Sequence, residues 1–144
     1  MGKSDNKHIR SNFPVGYLAN GYFNENGNLR KELIDEIAEK VAKSFGKRMT
    51  VNQLRKFYGY VKTMERVYCV SGLELDEERF VLEIAKLKAA VHYASSKKNS
   101  NQSVTKEFYK FVCMNINNIQ NKKDIIEGFI PHFQAVVAYF TYYL

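Results

Sequence analysis

The cationic side chains of residues 47–71 are the groups in this sequence best suited to do chemistry. The segment carries six Lys and Arg residues against Glu65 alone, a net charge of +5. In a helix of about 100° per residue, Arg55, Lys62 and Arg66 lie within roughly 40° of one another. Their spacing along the axis is then about 10 Å and about 6 Å. This row favours binding to the phosphates of a nucleic acid, and a basic face that only maintains solubility is the alternative.

Further cations occur beside a polar loop and an aromatic residue. Lys97 and Lys98 fall in a polar loop over 95–102, which would either clamp a phosphate backbone or form an exposed linker. Lys86 and Tyr93 are seven residues apart on a predicted helix and therefore share a face. Such a pair would contact the phosphate and the base of a single strand. Packing of a partly buried Tyr93 is the alternative.

Residues for catalysis or metal binding do not occur at recognisable spacings. The two cysteines, Cys69 and Cys113, are far apart in sequence and the three histidines are scattered. We expect His92 and His132 to lie on helices at surface or bridging positions. The sequence has no glycine-rich phosphate-binding motif. The acidic run 76–78 suits the N-terminal end of a helix dipole, and its sign disfavours a helix-turn-helix DNA reader. We therefore expect no enzymatic activity, no metal and no cofactor.

The composition indicates a single globular domain. The chain has 144 residues, a formal net charge of +7 and two cysteines, which favours a polyanionic partner and a reducing cytoplasm. The N-terminus is polar and lacks the apolar segment of a signal peptide. The longest apolar stretch runs from Phe133 to Leu144, shorter than the roughly 20 residues of a membrane span. We expect a cytoplasmic location and no membrane partner.

Helical periodicity dominates from residue 29 onward. The first predicted helix is capped by Asn28, buries Leu33, Ile34 and Ile37 among others, and stops at Gly46. Thr50-Val-Asn-Gln53 has the pattern of a capping box that begins the second helix.

Three more helices follow. The third begins at Asp76, and Ser103 or Thr105 caps the fourth. The last helical stretch opens at Asp124 and either bends near Gly128 and Pro131 or restarts at Pro131. No segment alternates with period two for long. The prediction is an all-α fold: a compact bundle of about five helices over 29–144, preceded by an irregular N-terminal arm over 1–28 that lies on the core.

Four stretches of the chain, in order, carry motifs of one known family. They are the turn-rich segment Tyr17 to Leu29, Thr50-Val-Asn-Gln-Leu-Arg-Lys-Phe57, Ile84-Ala-Lys-Leu-Lys-Ala-Ala-Val-His-Tyr-Ala94 and Phe133-Gln-Ala-Val-Val-Ala-Tyr-Phe-Thr-Tyr-Tyr143. Together these resemble the small all-helical subunit of type III-A CRISPR effector (Csm) complexes. The family often has Gly-Arg after Tyr-Ala, and Glu and Lys where this chain has Gln134 and Thr141.

The resemblance implies a non-catalytic subunit that binds RNA without reading its sequence. Such subunits stack as a row along the inner face of the effector, where they contact the guide–target RNA, neighbouring copies of themselves and other subunits. In this chain Arg55 and Lys56 match the basic helix motif, Lys86 and Lys88 match the lysines before Tyr-Ala, and Lys97 and Lys98 replace Gly-Arg. Lys62 and Arg66 are added from helical geometry, and Arg48 belongs to the same basic segment. The predicted RNA-binding residues are therefore Arg48, Arg55, Lys56, Lys62, Arg66, Lys86, Lys88, Lys97 and Lys98.

A second hypothesis explains the chain as a helical protein-interaction or scaffold module without nucleic-acid contact. In this case exposed aromatic side chains would bind a neighbouring protein and the positive charge would be incidental. The side chains in question are Tyr17, Tyr22, Tyr139, Tyr142 and Tyr143.

Overall fold

The computed structural model describes residues 12–70, 76–95 and 104–143, and this part of the chain is helical apart from its turns. Five α-helices occur in it, with one isolated bridge between Phe23 and Leu29 and no strand. The predicted all-α bundle of about five helices is confirmed. The helices are α1 (Glu36–Ser44), α2 (Val51–Glu65), α3 (Glu77–Ser95), α4 (Lys106–Asn117) and α5 (Ile130–Tyr142).

Helix α5 packs against α1 and α2, and α3 packs against α4. The core between them is aromatic: the ring of Phe111 lies 5.2 Å from that of Phe133, and the ring of Phe108 lies 5.4 Å from that of Phe57. These are offset or edge-to-face separations, each worth about 1 kcal/mol beyond the burial of apolar area. The bundle is therefore held by one continuous aromatic core.

Local capping signals fix where several helices begin. Thr50 Oγ1 accepts a hydrogen bond from Gln53 N at 3.1 Å, and Thr50 N donates to Gln53 Oε1 at 2.8 Å, so the predicted capping box is present. Asp76 accepts from Arg79 N, and Thr105 accepts from Phe108 N. These contacts satisfy backbone donors that a helix leaves unpaired at its first turn. The other proposed cap of α4, Ser103, lies outside the described residues.

The predicted start of the first helix at Asn28 is wrong. A short 3-10 turn spans Lys31–Ile34, and α1 begins only at Glu36. The backbone of Asn28 is used in a turn, where its N–H donates to Asn24 Oδ1 and its carbonyl accepts from Asn24 N. Ile34, predicted to face the core, is 44% exposed because this turn changes the helical register. The predicted stop is confirmed at Gly46, whose φ of +77° ends the helix.

The last helical stretch is continuous but contains a wide turn. A π-helical turn spans Asp124–Phe129 and leads directly into α5, with Pro131 in the first turn of that helix. Gly128 lies in the wide turn, and a Cβ added there would be 2.6 Å from Cγ of Tyr22. The glycine is needed because the Tyr22 ring packs directly on the backbone.

The described part of the N-terminal arm is packed into the core. The side chains of Phe13, Tyr17, Leu18 and Tyr22 are buried. Residues 1–11 lie outside the described residues, and the division into an arm and a separate domain stays a prediction.

A chain of buried hydrogen bonds connects this arm to α4 and α5. Tyr22 donates to Asn115 Oδ1 at 2.8 Å, and Asn115 Nδ2 donates to the Tyr17 hydroxyl at 3.0 Å. The Tyr17 hydroxyl donates to His132 Nε2 at 2.7 Å, and His132 Nδ1 donates to the Leu33 carbonyl at 2.5 Å. The Leu33 carbonyl can only accept, so the proton of the neutral imidazole is on Nδ1. Each group in the chain then has a partner.

We predict that Tyr17→Phe destabilises the protein although it removes a single oxygen. The change leaves His132 Nε2 and one Asn115 N–H buried without a partner, which costs about 2 kcal/mol. Tyr142→Phe is the matched control, because Tyr142 is 78% exposed. Urea unfolding of both variants measures the difference. Equal stabilities for the two would contradict the network.

We also predict that His132 stays neutral until pH is well below 6. Burial, followed by the positive charge of Arg30, lowers the pKa of His132 to about 4 despite the Leu33 hydrogen bond. The unfolded chain binds this proton near pH 6.5, so stability is complete above that pH and falls by roughly 3 kcal/mol towards pH 4.

Two measurements check this pH dependence. The first compares unfolding free energies of the wild type and His132→Gln from pH 7.5 to pH 4, because the difference cancels the contribution of the carboxylates. The second follows the His132 ring by NMR in the wild type, and titration of the ring near pH 6.5 would show that the prediction is incorrect.

Candidate nucleic-acid interface

Helix α2 has one face in the core and one in solvent. Leu54, Phe57 and Val61 are buried, as the apolar stripe predicted. Arg55 and Lys56 lie on the exposed side, so burial of the stripe directs these cations away from the protein.

The cations at the two ends of the predicted row are open. Arg55 and Arg66 are exposed, and neither side chain forms a hydrogen bond or ion pair with any residue in 12–70, 76–95 or 104–143. Lys56 is also exposed, and its ammonium lies 5.7 Å from the centroid of the Phe57 ring. Arg48 is exposed just ahead of the Thr50 cap. These positions are compatible with an external anion.

Lys62, in the middle of the row, has an intramolecular partner. Its ammonium lies 2.5 Å from Glu65 Oε1, and this hydrogen bond raises the pKa of Lys62. The Lys62 side chain is nevertheless 44% exposed. The Glu65 side chain is 21% exposed, so the i,i+3 pair is partly buried. Such a pair near the surface contributes about 1 kcal/mol or less, and an external phosphate must compete with the carboxylate for Lys62. The row is therefore weakened at its centre but not closed.

The regular helix ends where the row ends. From Arg66 the backbone widens into a π-helical turn over Arg66–Val70. The turn places the Tyr68 ring 5.6 Å from that of Phe80, in a stacked arrangement with α3. The 3.6-residue period used for the prediction does not extend beyond this point.

The lysines of α3 already have partners. Lys86 Nζ lies 3.1 Å from Glu83 Oε2, which also accepts from Arg79 at 3.1 Å. These two hydrogen bonds lower the pKa of Glu83. Lys88 donates to Asn117 Oδ1 at 3.2 Å and so joins α3 to α4. The cations of α3 are therefore less available to an external anion than Arg55.

The remaining predicted site residues have different outcomes. Tyr93, proposed to pack or to stack on a base, is 65% exposed, and both roles stay predictions. Lys97 and Lys98, with the loop that carries them, lie outside the described residues. Among the described residues, Arg55, Lys62 and Arg66 lie along α2 and the turn that follows it. Lys86 and Lys88 instead contact partners on α3 and α4.

Two tyrosines required by the protein-interaction hypothesis were wrongly expected to be exposed. Tyr17 and Tyr22 are buried because their hydroxyl groups take part in the internal hydrogen-bond chain. At the C-terminal end Tyr139 donates to Asp35 Oδ1, and Tyr143 donates to Glu39. Tyr142 remains the most exposed of the five.

The buried polar residues were missed by sequence reasoning. His132 and Asn115 are completely buried, whereas sequence analysis assigned no role to Asn115 and placed His132 at a surface or bridging position. Their spacing on apolar helix faces was the available signal, because a polar residue in such a stripe must find a buried partner. Within the described ranges, no group of three or more His, Cys, Asp or Glu side chains is arranged to hold a metal ion. No described helix is both long enough and apolar enough to cross a membrane.

Comparison with known proteins assigns the chain to a family. No curated protein and no solved structure matches the sequence. A family model described as Csm2 Type III-A matches residues 28–144, which include all five helices and the whole cationic row. The chain therefore belongs to the Csm2 Type III-A family and is a small subunit of the type III-A CRISPR effector complex.

Proposed function

We propose that this small subunit binds RNA without reading its sequence and takes no catalytic part in antiviral defence. It contacts the guide–target RNA along the inner face of the effector in the cytoplasm. Neighbouring copies of the chain and other effector subunits hold it there. The observation that carries the proposal is the row of cations along α2 and its C-terminal cap, in which the side chains of Arg55 and Arg66 are exposed and have no partner in the described part of the protein.

The chemistry of the row suits a phosphate backbone. Long Lys and Arg side chains in solvent approach phosphates from many angles and make little demand on the base. Within the described residues, no contact holds the Arg55 or Arg66 side chain in the fixed bidentate geometry that reading a base edge requires. Binding through such a surface is electrostatic and depends on salt.

The alternative is a protein-interaction module, and one observation favours it. Tyr142 is 78% exposed and its ring lies against that of Tyr143, 4.9 Å away. Exposed aromatic pairs are common at protein interfaces. This surface and the α2 row are on different helices, so both can operate in one assembly.

We predict that single-stranded RNA binds with an affinity that falls steeply with salt. Each neutralised phosphate contributes about −0.7 to the slope of log K against log salt. The triple variant Arg55→Ala/Lys62→Ala/Arg66→Ala removes three contacts and flattens the slope by about 2. Fluorescence anisotropy over a salt series measures this.

The control is a triple variant with the same net charge. Lys31, Lys40 and Lys110 are exposed cations on other parts of the structure, so their replacement by Ala keeps the slope within about 0.5 of the wild type. Equal slopes for both triple variants would exclude the α2 row. The protein-interaction module would be favoured by two results together. The two triple variants would show equal salt slopes in RNA binding, and Tyr142→Ala would fail to assemble into the effector.

We further predict that Glu65→Gln tightens RNA binding about twofold, because it removes the carboxylate that competes for Lys62. Glu25→Gln is the matched control, since it changes the net charge equally at an exposed position of the arm. The same anisotropy titration at low salt compares the variants. An equal gain in both would show that net charge, and not the release of Lys62, is responsible.

A further inference from the structure

We propose that Gly59 is the point where the RNA backbone comes closest to α2, a recess that receives a phosphate between the cations of the row. The inference rests on the proposed function and adds a positioning residue to it. Sequence reasoning did not select Gly59, because a glycine carries no chemical group.

The position of Gly59 is unexplained by the fold. It lies near the middle of α2 and is exposed, and a Cβ added there would have no heavy atom within 4 Å. Its φ is not in the left-handed region. Glycine is the poorest helix former after proline, and alanine would stabilise this position. No described contact requires a glycine here, in contrast to Gly128, which the Tyr22 ring covers.

The surroundings of Gly59 indicate what the recess accommodates. On a helix surface the neighbours of a residue are those three and four positions away. For Gly59 these are Arg55, Lys56, Lys62 and Thr63: two exposed cations, a third cation whose ammonium also contacts Glu65 at 2.5 Å, and a hydroxyl group. A bare patch of backbone is thus surrounded by positive charge.

An anionic oxygen fits this arrangement better than a protein surface does. Without a side chain at Gly59, a phosphate can approach the helix backbone, where Cα–H groups are weak donors, and the flanking cations reach it from both sides. A neighbouring apolar helix would need to desolvate three cations in order to use the same recess. The surrounding charge therefore favours a phosphodiester chain.

The test is a substitution that stabilises the fold but obstructs the recess. Gly59→Ala should raise Tm by roughly 3–5 °C, because a helix interior gains from alanine. It should also weaken binding of single-stranded RNA roughly fivefold, since a methyl group moves the phosphate about 1.5 Å away from three cations. Gly59→Leu should weaken binding further. Anisotropy at fixed low salt and thermal unfolding by circular dichroism measure both effects.

Ala138→Leu is the matched control, because it adds the same kind of bulk at an exposed position of α5 and should leave RNA affinity unchanged. If Gly59→Ala binds single-stranded RNA with unchanged affinity and the binding still depends on salt, the recess at Gly59 is wrong and the proposed function is unaffected. A wild type that shows no salt-dependent RNA binding would overturn both. Weakening by Gly59→Ala and more by Gly59→Leu, with Ala138→Leu unaffected, supports the recess.

Discussion

Burial of one face of α2 in the aromatic core is the constraint on which the outer surface depends. Phe57 packs near Phe108 of α4, and Tyr58 lies edge-on to Phe133 of α5 at 5.2 Å. Rotation of α2 about its axis would break these contacts, so the helix has one allowed orientation. The cations on its other side are directed into solvent as a consequence. The surface chemistry is therefore set by packing in the core.

The buried hydrogen-bond chain has a different role, since it fixes the arm in place. Tyr17 and Tyr22 would be costly to bury without partners, and Asn115 and His132 supply them. Because every donor in the chain has an acceptor within the same network, a shifted arm would leave several groups unsatisfied at once. Such a network favours a single arrangement of the arm more than it adds net stability.

Features that depend on neighbours in sequence were predictable, and those that depend on distant partners were not. The capping box at Thr50 and the buried stripe of α2 arise within a few residues and were identified correctly. The role of His132 depends on Tyr17, which is 115 positions away. The wrong prediction that the first helix starts at Asn28 has the same cause. The Arg30 side chain donates to the carbonyls of Tyr17 and Gly21, and these hydrogen bonds hold the segment before α1 against the arm. In the candidate site, periodicity located the row. The pairing of Lys62 with Glu65 is an exception among local features, because the sequence does not determine which of the nearby cations this carboxylate contacts.

The geometry of the row also bears on specificity. Its cations lie on one helix and on the first residue of the wide turn that follows it, Arg66, so the row spans only a few phosphates. Such a short electrostatic contact gives modest affinity, and affinity increases steeply when several copies engage one polymer. Under the proposed function, a subunit of this kind is useful only as part of an assembly in which base pairing selects the target and the cations hold it. Weak, sequence-independent contact is then an advantage, because every copy can engage whatever RNA the guide selects.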